Sequence, residues 1–146
     1  MKYTKQWIFA LAIAGLPILS GCEKETVLSD SKVPEEIATY TSTHFTTHKI
    51  LQVVKDIDGF TKTYDVVLDG GVNLEFNRKK EIIEIDGNAK LPDSVIPEKI
   101  RTYVAANYPS NVITDWQLEG KNQQVGLDSD LDLEFSMNGD FLRIDN

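Results

Sequence analysis

The chain has 146 residues, 15 of them Lys or Arg and 23 Asp or Glu, for a net charge of −8 at neutral pH. Such a balance disfavours nucleic acid and anionic lipid surfaces as partners, because both repel an acidic chain. The single cysteine excludes an intramolecular disulfide, and the length suits one compact domain with a real core.

Lys2 and Lys5 open the chain, and a mostly apolar run follows from Trp7 to Leu19. This run has the length of a signal-peptide core and is too short to span a bilayer comfortably. It closes on Leu19-Ser20-Gly21-Cys22, which looks like a lipobox. A branched apolar residue precedes two small residues that fit a narrow peptidase site, then the cysteine to be acylated. Residues 1–21 are therefore expected to be a lipoprotein signal peptide, with Cys22 the lipidation site. An ordinary secretory signal with a chance cysteine is the competing reading. Several acyl chains, at ~0.8 kcal/mol per buried methylene, would hold the protein firmly to a membrane without crossing it. Loss of residues 1–21 leaves 13 basic against 23 acidic side chains, a net of −10. Glu23 follows the cysteine. By resemblance to other diderm lipoproteins, the lack of Asp there favours the outer membrane, with the protein facing the periplasm or the cell surface. Residues 22–32 are polar apart from Val27 and Leu28. They read as a lipidated cysteine and flexible tether, the alternative being an ordered first strand.

Residues 33–146 read as one domain built from two copies, 33–87 and 96–146. Pro34, Glu35, Ile37, Thr39 and Tyr40 match Pro97, Glu98, Ile100, Thr102 and Tyr103 at a constant offset. Proline in a first helical turn loses no hydrogen bond, and acids there suit the helix dipole. Ile37, Tyr40 and Thr41, like Ile100, Tyr103 and Val104, recur at helical spacing. Each copy thus opens with a helix of about three turns. Pro109 ends the second helix; Thr46 stands in the matching place of the first.

Four short strands follow in each copy. The first set runs over Ile50–Asp56, Thr61–Leu68, Val72–Asn77 and Lys80–Asp86. The second runs over Val112–Glu119, Gln123–Asp128, Leu131–Ser136 and Asp140–Asp145. Turn residues separate them, such as Asp58-Gly59, Asp69-Gly70-Gly71 and Asn138-Gly139. The offset falls by four residues after the first strand, so the second copy has lost four residues in its loops and strands. The expected fold is α+β: two tandem copies of a helix followed by a four-stranded antiparallel sheet, with the helices packed on one sheet face.

Alternation assigns the faces. Val66, Leu68, Leu74, Phe76, Ile83 and Ile85 fall on one side, as do Val125, Leu127, Leu133, Phe135, Leu142 and Ile144. That side belongs under the helices. The other side carries Glu75, Ile82 and Glu84 in the first copy, and Asp132, Glu134 and Phe141 in the second. These six residues are the candidate partner-binding set. An antiparallel sheet can leave one face in water, and this one is acidic, so a basic protein or peptide is the partner expected.

The duplicated helix-and-strands unit behind a lipobox resembles the PepSY-like family of bacterial envelope proteins. That family is similar in fold to the beta-lactamase inhibitory protein. The resemblance rests on Pro34, Ile37 and Tyr40 with Pro97, Ile100 and Tyr103, on Tyr108-Pro109, on Tyr64 with Val66 and Leu68, and on Leu74-Glu75-Phe76 with its echo Leu133-Glu134-Phe135. Thr46 and Gln123 depart from it, the latter standing where Tyr64 stands in the first copy. The resemblance implies a secreted binding or inhibitory module. No contact residue of the inhibitor maps onto this sequence.

Three constellations could carry other chemistry. His44 and His48, four apart, could present two metal ligands on one helix face, but the helix is expected to end before His48. Asp128, Asp130 and Asp132, continued by Glu134, offer oxygen ligands dense enough for calcium. The helix-loop-helix pattern is absent, since Leu133 follows the third acid and Gly139 stands at the twelfth place. A solvated acidic turn is the competing reading. Trp116 fits an interface anchor or the core equally. No nucleophile–base or phosphate-loop pattern is present, and no cofactor other than calcium is indicated. The reading is therefore a non-catalytic, lipid-anchored envelope protein that binds through its sheet face. The alternative is a calcium-responsive periplasmic module using Asp128–Glu134.

Overall fold

A computed structural model describes residues 24–145. The signal peptide and Cys22 lie outside the described residues.

Helix α1 spans Glu35–His44 and α2 spans Glu98–Asn107. Pro34 and Pro97 stand at their N-caps, with Glu35, Glu36 and Glu98 in the first turns, where carboxylates meet unpaired N–H groups and the positive end of the dipole. Both helices stop alike. Phe45 (φ −119°, ψ 52°) and Tyr108 (φ −132°, ψ 58°) leave helical geometry while their N–H groups still donate to Thr41 and Val104. Pro109 disfavours helical geometry at Tyr108. In α1 no proline is needed, because Phe45 is drawn fully into the core.

Each helix is followed by four strands. They are β2 (Ile50–Asp58), β3 (Thr61–Leu68), β4 (Val72–Phe76) and β5 (Ile82–Asp86), then β6 (Ile113–Glu119), β7 (Asn122–Leu127), β8 (Asp132–Ser136) and β9 (Phe141–Asp145). They do not form a four-stranded sheet per copy. With a short β1 (Thr26–Val27) they make one nine-stranded antiparallel sheet in sequence order. The halves are joined by Glu84↔Gln117, Ile85↔Trp116 and Asp86↔Asp115 between β5 and β6. That pairing satisfies backbone groups that two separate sheets would leave along open edges.

Strand β1 corrects the reading of residues 22–32 as a flexible tether, for the part from Lys24 on. Thr26 pairs with Lys55 and Val27 with Val54. Lys24 exchanges two backbone hydrogen bonds with Ile57, at 3.0 and 3.2 Å, and Leu28 N–H donates to the Val53 carbonyl at 2.8 Å. The side chains of Thr26 and Val27 are exposed. Thr26 and Val27 are held by backbone bonds and only Leu28 packs against the core, so no hydrophobic alternation announces the strand.

One face of the sheet carries the core. Val53, Val66, Leu74, Phe76, Ile85, Val125, Leu133 and Phe135 are almost wholly buried there, together with Ile37 and Ile100 from the helices. Tyr40 of α1 meets Phe76 edge-on at 5.4 Å, and Tyr103 of α2 meets Phe135 in the same way at 5.4 Å. Trp116 belongs to this core, at 8% exposure. Its indole N–H donates to Gln123 Oε1 at 2.9 Å, and Gln123 Nε2 donates to the Ser136 carbonyl at 2.9 Å.

The missing four residues of the second half are localised by register. Lys55↔Tyr64 and Leu118↔Gln123 occupy corresponding places in the two hairpins. Beyond them the first hairpin continues through residues 56–63, the second only through 119–122.

Candidate binding face

The face opposite the helices is ordered by cross-strand register. One row runs Asp65, Glu75, Glu84, Gln117, Gln124, Glu134 and Arg143 from β3 to β9. The next runs Asn73, Asp86, Asp115, Gly126, Asp132 and Asp145 from β4 to β9. Two ladders of acids and amides therefore cross the sheet, and Arg143 is the one cation within them.

Of the six residues nominated from sequence, Glu75, Glu84, Asp132 and Glu134 stand in these rows. Ile82 and Phe141 do not, and their assignment to this face is corrected. Register shifts at Glu75/Phe76 and Glu134/Phe135 place Ile82 opposite Phe76 and Phe141 opposite Phe135. Each bulge adds a residue, which reverses the alternation beyond it. Both side chains pack against the core. Phe141 stacks on Tyr103 at 4.6 Å with the rings 12° apart, and meets Phe135 at 5.7 Å. Leu142 and Ile144, expected inside, are 48% and 44% exposed on the edge strand.

Glu134 is nearly buried although its neighbours are polar. Asn122 Nδ2 donates to it at 2.6 Å and Arg143 Nε pairs with it at 2.5 Å. Arg143 also lies 3.9 Å from Asp145. Gln117 donates to Gln124 at 2.7 Å within the first row. Asp115 is the perturbed member. Burial holds its carboxyl above the usual carboxylate range, opposed by a hydrogen bond from Thr114 and reinforced by the charges of Asp132 and Asp86. Sequence reasoning did not nominate Asp65, Asp86, Asp115 or Asp145 as site residues. The signal available for Asp115 was Gly126, a glycine inside a strand.

The nominated calcium ligands do not converge. Asp128 serves the turn after β7, where its Oδ1 accepts from Asn111 Nδ2 at 2.8 Å and Val112 N at 3.2 Å. Those two bonds hold its carboxyl below the usual range. Asp130 sits in left-handed backbone (φ 59°) and Asp132 is already in β8 on the open face. Among the described residues no group of three or more His, Cys, Asp or Glu side chains is arranged to hold a metal ion. His44 and His48 are likewise parted by the end of α1. His44 Nδ1 bonds Ser94 Oγ at 2.9 Å, whereas His48 packs edge-on against Phe45. A cleft of about 470 Å³ lies between α2 and the linker, lined by Lys90, Asp93, Arg101 and Asn111 among others; none of the nominated residues lines it.

A family model for PepSY-like proteins, provisionally described as beta-lactamase-inhibitor-like, matches residues 20–61 and 62–143. The chain belongs to the PepSY-like family. Solved structures agree. A Bacteroides vulgatus protein described as periplasmic and of unknown function is 32% identical, with a TM-score of 0.78 over 84% of this chain and 100% of its own. A second periplasmic protein from that organism is 28% identical, with a TM-score of 0.76 over 84% and 97%. A candidate calcium-regulated periplasmic protein from Bacteroides thetaiotaomicron is 25% identical, with a TM-score of 0.78 over 84% and 97%. No curated protein matches the chain. Among the described residues of this PepSY-like protein, no helix is long and apolar enough to cross a membrane.

Proposed function

We propose that this PepSY-like protein is a non-catalytic, lipid-anchored protein of the periplasmic space that binds a basic protein or peptide across its open sheet face. The observation that carries the reading is the pair of cross-strand ladders in which Arg143 is the single cation. A partner presenting Lys or Arg meets carboxylates spaced by the strands, and long-range attraction speeds its approach at low salt. The inhibitor-like description of the family supports a binding or inhibitory role, and the relatives described as periplasmic support the location. The lipobox supports anchoring at Cys22, with the outer membrane favoured by Glu23.

The test is capture of envelope proteins on soluble residues 23–146, followed by binding measurements on the captured partner. Glu75→Lys with Glu84→Lys is expected to weaken binding at least about tenfold by charge reversal, and raised salt to weaken the wild type. Equal affinity at an unchanged melting temperature removes the acidic-face reading. Anchoring is tested separately: Cys22→Ala moves the protein out of the membrane fraction, and a processed variant that stays there removes the lipoprotein reading.

A second reading, calcium responsiveness, is favoured by the relative from Bacteroides thetaiotaomicron. Asp128, Asp130 and Asp132 would have to be drawn together to hold the ion. Millimolar calcium then raises the melting temperature by mass action, and Asp130→Asn with Asp132→Asn abolishes the rise. An unchanged melting temperature removes this reading.

A further inference from the structure

We propose that Phe60, at the tip of the β2–β3 hairpin, is a second membrane contact that inserts into the bilayer beside the lipid on Cys22. The inference rests on the lipoprotein reading. Three observations carry it.

The hairpin outruns its sheet. Strand β4 leaves β3 at Phe76↔Tyr64, yet β2 and β3 continue through Asp56↔Thr63, Ile57↔Lys62 and Asp58↔Thr61. Three further pairs reach about 10 Å beyond the β3–β4 ladder. The tip carries Phe60, a large apolar side chain with complete (102%) exposure.

The fold does not need that phenylalanine. Gly59 supplies the left-handed residue of the turn (φ 56°), as Gly120 does in the second half (φ 60°). The residue after Gly120 is Lys121, so the same turn closes on a charged side chain. The second hairpin is also four residues shorter and does not project. Extra length and an apolar tip thus occur together, in one half.

The chain's own register brings the anchor to this tip. Lys24 is bonded to Ile57 beside the projecting strands. Cys22 is two residues from Lys24, and two residues of chain reach at most about 7 Å. Acyl chains on Cys22 therefore bring the bilayer to the end of the sheet where Phe60 stands. A phenyl ring that gains nothing in water gains burial at a membrane interface, where aromatic residues gather. The nearby turns carry both signs, Asp58 and Glu119 against Arg78, Lys79 and Lys121, so insertion rather than attraction to anionic lipid holds this end.

The experiment uses the full chain, expressed in a diderm bacterium, purified from membranes and reconstituted into phosphatidylcholine–phosphatidylethanolamine vesicles. Mass spectrometry first establishes acylation of Cys22. Phe60→Trp then reports on the tip, with buried Trp116 as a constant background. Bromines about 5–10 Å below the headgroups are expected to roughly halve the emission of the introduced tryptophan. Leu51→Trp, exposed near the opposite end of β2, is expected to stay unquenched, and added anionic lipid to change neither result. Acylated Cys22 with an unquenched Phe60→Trp overturns the inference alone and leaves Phe60 to a protein partner. An unmodified Cys22 removes the anchor reading, and the inference with it.

Discussion

The carboxylate of Asp115 lies over the α-carbon of Gly126, its partner across β6 and β7, and occupies the space a β-carbon there would need. Glycine weakens a strand by roughly 0.5–1 kcal/mol relative to alanine, so its presence in β7 reflects room made for the acid. Gly126→Ala is expected to destabilise by about 1–3 kcal/mol through overpacking. In an Asp115→Ala background the same substitution should be neutral or stabilising. Denaturant midpoints of the four proteins measure the coupling. Equal effects in both backgrounds would show that the carboxylate does not occupy this space.

The same burial gives Asp115 a defined pH dependence. Its folded carboxyl titrates above its unfolded value, so the folded state holds more protons than the unfolded state between the two. Stability therefore falls as pH rises through that window, and Asp115 favours folding in its neutral form. Asp128 and Asp140, held below the usual range, act oppositely and contribute stability that is lost as pH falls through their folded values. Asp115→Asn is expected to raise the melting temperature at pH 7 and to make no difference once both states are protonated, well below pH 3.8. A gain that persists at that acidity would assign the effect to something other than charge.

Phe141 is a fold residue. Stacked on Tyr103 and packed edge-on against Phe135, it ties α2 to the edge strand β9. Phe141→Ala should cost close to the lower end of the ~3–5 kcal/mol typical of buried phenylalanine, because part of the ring is solvent-exposed. Thermal or denaturant unfolding measures it. A loss under about 1 kcal/mol would return Phe141 to the role of an exposed anchor.

Much of this fold was legible because hydrophobic alternation and turn residues both report on local backbone. The strand from Thr61 to Leu68 was expected over the residues it occupies, and the other seven main strands differ by no more than two residues at either end. What stayed hidden depends on partners distant in sequence. Thr26 and Val27 are held by backbone bonds alone, so their side chains carry no signature. The β5–β6 seam needs knowledge of which edges meet. The faces of Ile82 and Phe141 were inverted because one bulged residue exchanges inside for outside, and a bulge leaves no mark on composition. The acid ladder was half visible: Glu75, Glu84, Asp132 and Glu134 follow from alternation, but Asp86 and Asp115 become neighbours only through the seam.

Gln123 supplies the last test, because it stands where the first half has Tyr64. Tyr64 fills its place with a ring, buried to 4% exposure. Gln123, at 2% exposure, fills the corresponding place with an amide that accepts from the Trp116 indole and donates to the Ser136 carbonyl at 2.9 Å and, at 3.4 Å, to that of Met137. Gln123→Met keeps much of the volume but leaves the buried indole N–H without its acceptor, while the Ser136 carbonyl keeps its bond from the Gly139 N–H at 2.9 Å. A buried polar group left unsatisfied costs about 1–3 kcal/mol, so the variant should lose stability in that range. Trp116→Phe removes the donor, so adding Gln123→Met to it should cost less than Gln123→Met alone. A double-mutant cycle by denaturant unfolding measures the difference, expected at roughly 0.5–3 kcal/mol for residues in one hydrogen-bond network. Additive losses would mean that the indole bond contributes nothing to stability and that Trp116 is held by packing alone.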